Sequence, residues 1–79
     1  MELIIGRIGY FINSSKKNYY IEIIDNKNKH YNCRFTNDMG KILLQYCSIG
    51  DLIGVSGKYT KDKKTLIVEK VSFLNNSSF

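Results

Sequence analysis

The sequence predicts an all-β domain: a five-stranded Greek-key barrel with one short helix between its third and fourth strands. Five stretches are continuously apolar or alternate with a period of two, the pattern of strands with a buried face. A single stretch, Met39 to Cys47, instead repeats its apolar residues at spacings of three and four, as an amphipathic helix does. The segment that carries it, Phe35 to Tyr59, continues with Gly50-Asp51 and an alternating run that reaches Gly57-Lys58. A lone helix in that position leaves very few all-β folds.

Taken in order, Leu3 to Ile12 is apolar with glycines at 6 and 9, which suits a strand bent at a barrel corner. Asn13 to Asn18 is a polar loop. Tyr19 to Asp25 alternates weakly; because Glu22 should avoid a core, Tyr19, Ile21 and Ile23 point inward and Tyr20, Glu22 and Ile24 outward. Asp25-Asn26-Lys27-Asn28 carries residues that tolerate tight turns, so the second strand reverses directly into the third. In that strand, Lys29 to Phe35, the residues Tyr31, Cys33 and Phe35 point inward, and His30, Asn32 and Arg34 outward. Thr36, Asn37 or Asp38 can cap a helix that carries Met39, Ile42, Leu43, Tyr46 and Cys47 on one side, and Gly50 can end it. Gly40 inside that helix costs about 1 kcal/mol relative to alanine. Ile53, Val55, Gly57 and Tyr59 share one side of the fourth strand, with Gly54, Ser56 and Lys58 on the other. Thr60 to Lys64 is a turn, and Thr65 to Leu74 is the fifth strand. The expected core is Tyr19, Ile21, Ile23, Tyr31, Phe35, Ile42, Tyr46, Ile53, Val55 and Val68.

The order β-β-β-α-β-β over residues 1–74, followed by a flexible tail at 75–79, is that of an OB barrel, in which the helix plugs the barrel between strands three and four. Sm-like and SH3-like small barrels are the rivals. An Sm-like chain places its helix ahead of the first strand, where Met1 to Ile5 leaves no space.

At 79 residues the chain makes one small domain that buries only about 60–65% of its unfolded surface, so self-association would support it. Twelve Lys and Arg against seven Asp and Glu give a net charge of +5, which favours a polyanionic partner. The chain is also rich in Ile, Lys, Asn and Tyr and has no Pro, the bias of AT-rich codons, so the position of a lysine says more than the number of them. No apolar run reaches the ~18 residues that span a bilayer, and Met1 to Ile5 lacks the basic start of a signal peptide. A cytoplasmic protein without a membrane partner is expected. Cys33 and Cys47 read as reduced, buried thiols, and with His30 they are too few for a structural zinc site; no cofactor is expected. No Ser/His/Asp or Cys/His arrangement, phosphate-cradling glycine loop or carboxylate pair points to an enzyme.

Three pieces of the chain resemble bacterial-type single-stranded-DNA-binding proteins. Leu3-Ile4-Ile5-Gly6-Arg7-Ile8-Gly9 is similar to that family's opening strand of apolar, Gly-Arg and apolar residues. Met39 to Tyr46 is similar to its short helix ending in an aromatic residue, and Gly50-Asp51-x-Ile53-x-Val55-x-Gly57 to its Gly-polar-x-apolar-x-apolar-x-Gly strand. Together they cover about half the chain. The resemblance implies an OB fold that binds single-stranded DNA with little sequence preference, as a dimer or tetramer. With Gly50 and Gly57 matched and the register carried back without gaps, His30 falls where the family places a base-stacking aromatic; the alternation of the third strand independently turns it outward. The chain departs from the family in its shorter loops after Ile12 and Asp25, in having no Trp, and in having no acidic tail before Phe79. In that family the tail recruits replication and repair enzymes. A short form is implied, of mobile-element or phage type, or a replication accessory protein.

OB surfaces hold single strands through a basic track for phosphates and aromatic faces for bases, the stacking worth ~1–3 kcal/mol per base. The outer face of the second and third strands supplies Tyr20, His30, Asn32 and Arg34. Arg34 can both fork onto a phosphate and stack on a base. Phe11 joins them if Gly9 leaves the register of the first strand unshifted. Arg7 is a further candidate, with Glu2 or Glu69 as alternative partners. Lys16 and Lys17 in the loop after the first strand, Lys58 in the fourth, and Lys61, Lys63 and Lys64 in the last turn stand where a phosphate track is needed. The competing readings are a subunit contact for Tyr20 and solvated turns for the lysines. RNA is the nearest alternative partner, and a protein–protein interaction module in a replication complex comes next. A sugar-binding, toxin-like OB subunit would call for secretion and a disulfide.

Overall fold

A computed structural model describes residues 1–12 and 18–74 of the chain. Its elements are β1 Glu2–Ile12, β2 Asn18–Ile24, β3 His30–Thr36, α1 Asn37–Tyr46, β4 Leu52–Tyr59 and β5 Thr65–Phe73. The strands close into a barrel in the order β1-β2-β3-β5-β4. β1 serves two neighbours, running antiparallel to β4 from Glu2 to Arg7 and to β2 from Arg7 to Ile12. The parallel seam between β3 and β5 closes the cylinder, with Asn32 beside Thr65 and Arg34 beside Ile67. Closure gives each described strand two neighbours and removes the open edge that could pair with another chain.

Alternation drives this arrangement. β2 buries every second residue, Tyr19, Ile21 and Ile23, and these meet Phe35 and Cys33 of β3, Ile4 and Ile8 of β1, Ile53 and Val55 of β4, and Leu66 and Val68 of β5. Leu43 of α1 completes this core from one end. Each such side chain contributes about 1.5–3 kcal/mol relative to its exposed state, which is how so short a chain stays folded.

Thr36 caps α1, its hydroxyl oxygen accepting the Met39 N–H at 3.3 Å, and Asp38 sits in the first turn where the helix dipole favours an acid. Gly40 is a packing requirement rather than a weakness. A Cβ there would fall into the Tyr19 ring, so the missing side chain is what lets α1 seat against β2.

Four sequence expectations are corrected. Gly50 does not end the helix: α1 stops at Tyr46, and the extended Cys47 caps it, its N–H donating to the Leu43 carbonyl at 2.8 Å. Gly50 instead adopts a φ of 96° in the turn before β4, where its N–H reaches the Ile8 carbonyl. Ile42 and Tyr46 are not core; they are 46% and 70% exposed, because the ten-residue helix buries only Gly40 and Leu43. Tyr31 is half-buried at the rim, its hydroxyl donating to Asp25 Oδ2 at 3.1 Å. Tyr59, at the end of β4, stands at the other side of the same rim and is exposed. The tail at 75–79 lies outside the described residues.

Both hairpin turns are organised by a carboxylate. Asp25 accepts the N–H groups of Lys27 and Lys29 at 2.9 Å, and Asp62 accepts the Lys64 N–H at 3.1 Å and the Thr60 hydroxyl. Asn28 and Lys63 take the left-handed conformation in their turns, at φ 65° and 60°. These bonds hold both carboxyls below the usual range, Asp25 chiefly through the Lys29 N–H and Asp62 chiefly through the Thr60 hydroxyl. Both cysteines are free, and burial pushes the Cys33 thiol up to about 12, so it stays protonated at neutral pH. No described helix is long and apolar enough to cross a membrane.

Candidate functional site

The outer wall of β1, β2, β3 and β5 can be read as three rows, because strand pairing fixes which residues stand side by side. Arg7, Ile24 and His30 form the first row. Tyr10, Glu22, Asn32 and Thr65 form the second. Tyr20, Arg34, Ile67 and Lys58 form the third, which crosses from β2 to β4. Side chains in adjacent positions of such rows stand about 4.5–5.5 Å apart at Cβ, so each row is a continuous strip of surface.

The register of β1 decides which aromatic joins this wall. Ile8 faces Ile23, but Tyr10 faces Glu22, so Gly9 is an extra residue that the partner strand does not match. A glycine inside an apolar strand is the sequence mark of such a bulge. Across it, inside and outside exchange. Phe11 therefore pairs with Ile21 and packs against the core, and the expectation that it joins the outer face is corrected. Tyr10 takes that place and is 47% exposed. Uninterrupted alternation across Gly9 assigns these two residues the wrong way round.

The remaining candidates are placed as follows. Tyr20 and Arg34 are direct neighbours in the third row, both half-buried, and Arg34 makes no side-chain hydrogen bond or ion pair with the described residues. A guanidinium seated in the wall and paired by no described acid is chemically suited to an anion. His30 is outward, but it is not isolated: its Nδ1 lies 3.0 Å from Glu22 Oε2. Asn32 Nδ2 donates to Thr65 Oγ1 at 3.3 Å and thereby ties the β3–β5 seam. Arg7 pairs with neither Glu2 nor Glu69; its Nη1 donates to the Gly50 carbonyl at 2.9 Å and anchors the turn before β4. That bond accounts for one side of its guanidinium. Lys58, Lys61, Lys63 and Lys64 are all exposed. Because β3 and β5 run parallel, the turn that precedes Thr65 lies at the His30 end of β3. Lys27 and Lys29, not singled out from the sequence, lie at that same end, with Lys29 Nζ 5.2 Å from the centre of the Tyr31 ring. Lys16 and Lys17 lie outside the described residues.

The wall thus offers three rings, one seated guanidinium and a basic rim, with a single carboxylate, Glu22, in the middle. Among the described residues no group of three or more His, Cys, Asp or Glu could hold a metal ion.

No protein-family model matches the chain, and no curated protein matches it. Among solved structures it is similar to the SSB domain of a protein from Synechococcus sp. The two superpose with a TM-score of 0.65 at 10% sequence identity, over 89% of this chain and 90% of that one. The fold is an OB barrel. At that identity the likeness is one of architecture: five closed strands with the helix between β3 and β4.

Proposed function

We propose that this OB barrel binds single-stranded DNA with little sequence preference and without catalysis, in the cytoplasm, in support of replication, recombination or repair. The observation that carries the reading is the third row, where Tyr20 lies against an Arg34 that no described acid pairs, on a strip that ends in Lys58. Rings take bases, the guanidinium and lysines take phosphates, and nothing in the row prefers one base over another. The architecture shared with an SSB domain supports it.

Titrating the protein's tyrosine fluorescence with oligo-dT tests this directly. Quenching at micromolar protein that weakens steeply with salt is expected; no quenching at low salt overturns the proposal. Competition with oligo-U reports whether RNA is held as well. The same reading includes self-association. Leu3, Ile5 and Leu74 are exposed around the small residues Gly54, Ser56 and Ser72, a surface suited to a second copy of the chain. Sedimentation as a dimer or tetramer is the expected result.

A further inference from the structure

Glu22 is out of place on a surface that attracts phosphates. Its carboxylate lies flat in the wall rather than reaching for solvent. Oε1 sits in the notch left by Gly9, where a Cβ would stand 2.8 Å away, and Oε2 is 3.0 Å from His30 Nδ1. The side chain is only 19% exposed, against 52% for His30. The carboxylate is therefore held in the second row, between Tyr10 and Asn32 and one row from Tyr20 and Arg34.

We infer that nucleic-acid binding by this face is linked to protonation of His30, with the Glu22–His30 pair acting as a one-proton switch; the inference rests on the proposed binding face. With His30 neutral, the pair presents a fixed negative charge to the incoming phosphates. With His30 protonated, the pair is neutral overall and the imidazolium edge adds an attraction. A strand that binds this wall therefore favours the protonated form and takes up a proton as it binds.

Several described groups face this pair. On β1 the facing residues are Tyr10 and Arg7, and Arg7 is bonded to the Gly50 carbonyl. On β2 and β3 they are Tyr20, Asn32 and Arg34, and β5 contributes Thr65 beside Asn32. The turn before Thr65, at the His30 end of β3, carries Lys61, Lys63 and Lys64, with Asp62 bound to the Thr60 hydroxyl and the Lys64 amide. In the β2–β3 turn, Asp25 is bound to the Lys27 and Lys29 amides, and Lys29 lies over Tyr31. Helix α1, with Asp38 and Lys41, meets β2 at Tyr19, towards the far end of the strand. His30 is the only histidine in the chain.

The test is the affinity for oligo-dT, which carries no group titrating between about pH 5.5 and about pH 7.5, measured at constant low salt across that range. The wild type is expected to bind about three- to tenfold more tightly at the acid end. His30→Gln should bind at the weaker level with no slope, and Glu22→Gln should bind more tightly than the wild type at the upper end. As a second measurement on the intact protein, the histidine ring resonance should titrate at a higher pH with oligo-dT bound than without. A flat wild-type profile, a slope retained in His30→Gln, or an unmoved histidine titration overturns the inference while leaving the binding face standing. Absence of binding at every pH removes the reading beneath it.

Discussion

The barrel has two outer walls, and β1 contributes to both. Beyond Gly9, β1 contributes Tyr10 to a wall of rings and fixed charges; before it, the same strand contributes Leu3 and Ile5, 67% and 51% exposed, to a wall of aliphatic and small residues. On the first wall Tyr20, His30 and Arg34 project among Glu22 and Asn32. On the second the neighbours are Gly54, Ser56, Ser72 and Leu74, with Lys70 at the margin. Leu3 and Ile5 are each more exposed than Tyr10. The two walls differ in chemistry more than in exposure: cations beside flat rings on one, bare aliphatics around a small-residue floor on the other, which is why the proposed reading gives nucleic acid to the first and a second copy of the chain to the second.

The most damaging change for this division is Tyr20→Ala combined with Arg34→Ala. It removes one stacking platform and one charged group, an expected loss of about 2–4 kcal/mol in oligo-dT affinity, or roughly thirty- to a thousandfold. A melting curve on the same variant shows whether the barrel itself survives. Next comes Gly40→Ala, which tests how α1 buttresses β2 beneath the first wall. Helix propensity alone forecasts a gain of about 1 kcal/mol. The Tyr19 ring in its path forecasts a loss of about 1–3 kcal/mol instead, read as a lower melting temperature.

Smaller effects sharpen the comparison. Replacing Lys61, Lys63 and Lys64 by alanine should lower low-salt affinity by less than about tenfold and reduce the salt slope by about 0.7 for each phosphate that is no longer neutralised. Leu3→Ser with Ile5→Ser should leave affinity for a short oligo-dT within about twofold of wild type while shifting sedimentation towards the monomer. An equal fall in DNA affinity from changes on both walls would erase the distinction between them.

Most of the fold was legible because the buried faces follow simple periods. The alternation of β2 and β3 separates their inward and outward sets, with Tyr31 at the rim less buried than expected, and the lone helical pattern falls between β3 and β4 as expected. What the sequence hid lies where a period breaks or where two distant segments meet. The extra residue at Gly9 exchanges Tyr10 with Phe11, an outcome that pairing with β2 decides. The exposure of Ile42 and Tyr46 follows from how little of α1 the barrel covers, which helical periodicity alone does not reveal. Arg7 bonding to Gly50, 43 residues away, and Glu22 lying against His30 are products of the closed barrel. The outward placement of Tyr20 and Arg34 was legible from alternation alone, because β2 and β3 pair without a bulge there.

The central claim, that the first wall and not the second meets the nucleic acid, is tested most directly by following backbone amide resonances as oligo-dT is added. Shifts concentrated at Tyr10, Tyr20, Glu22, His30, Asn32 and Arg34, with Leu3, Ile5, Gly54 and Ser72 unmoved, are the predicted result. Shifts centred on Leu3, Ile5, Gly54 and Ser72, or none on either wall, would contradict it.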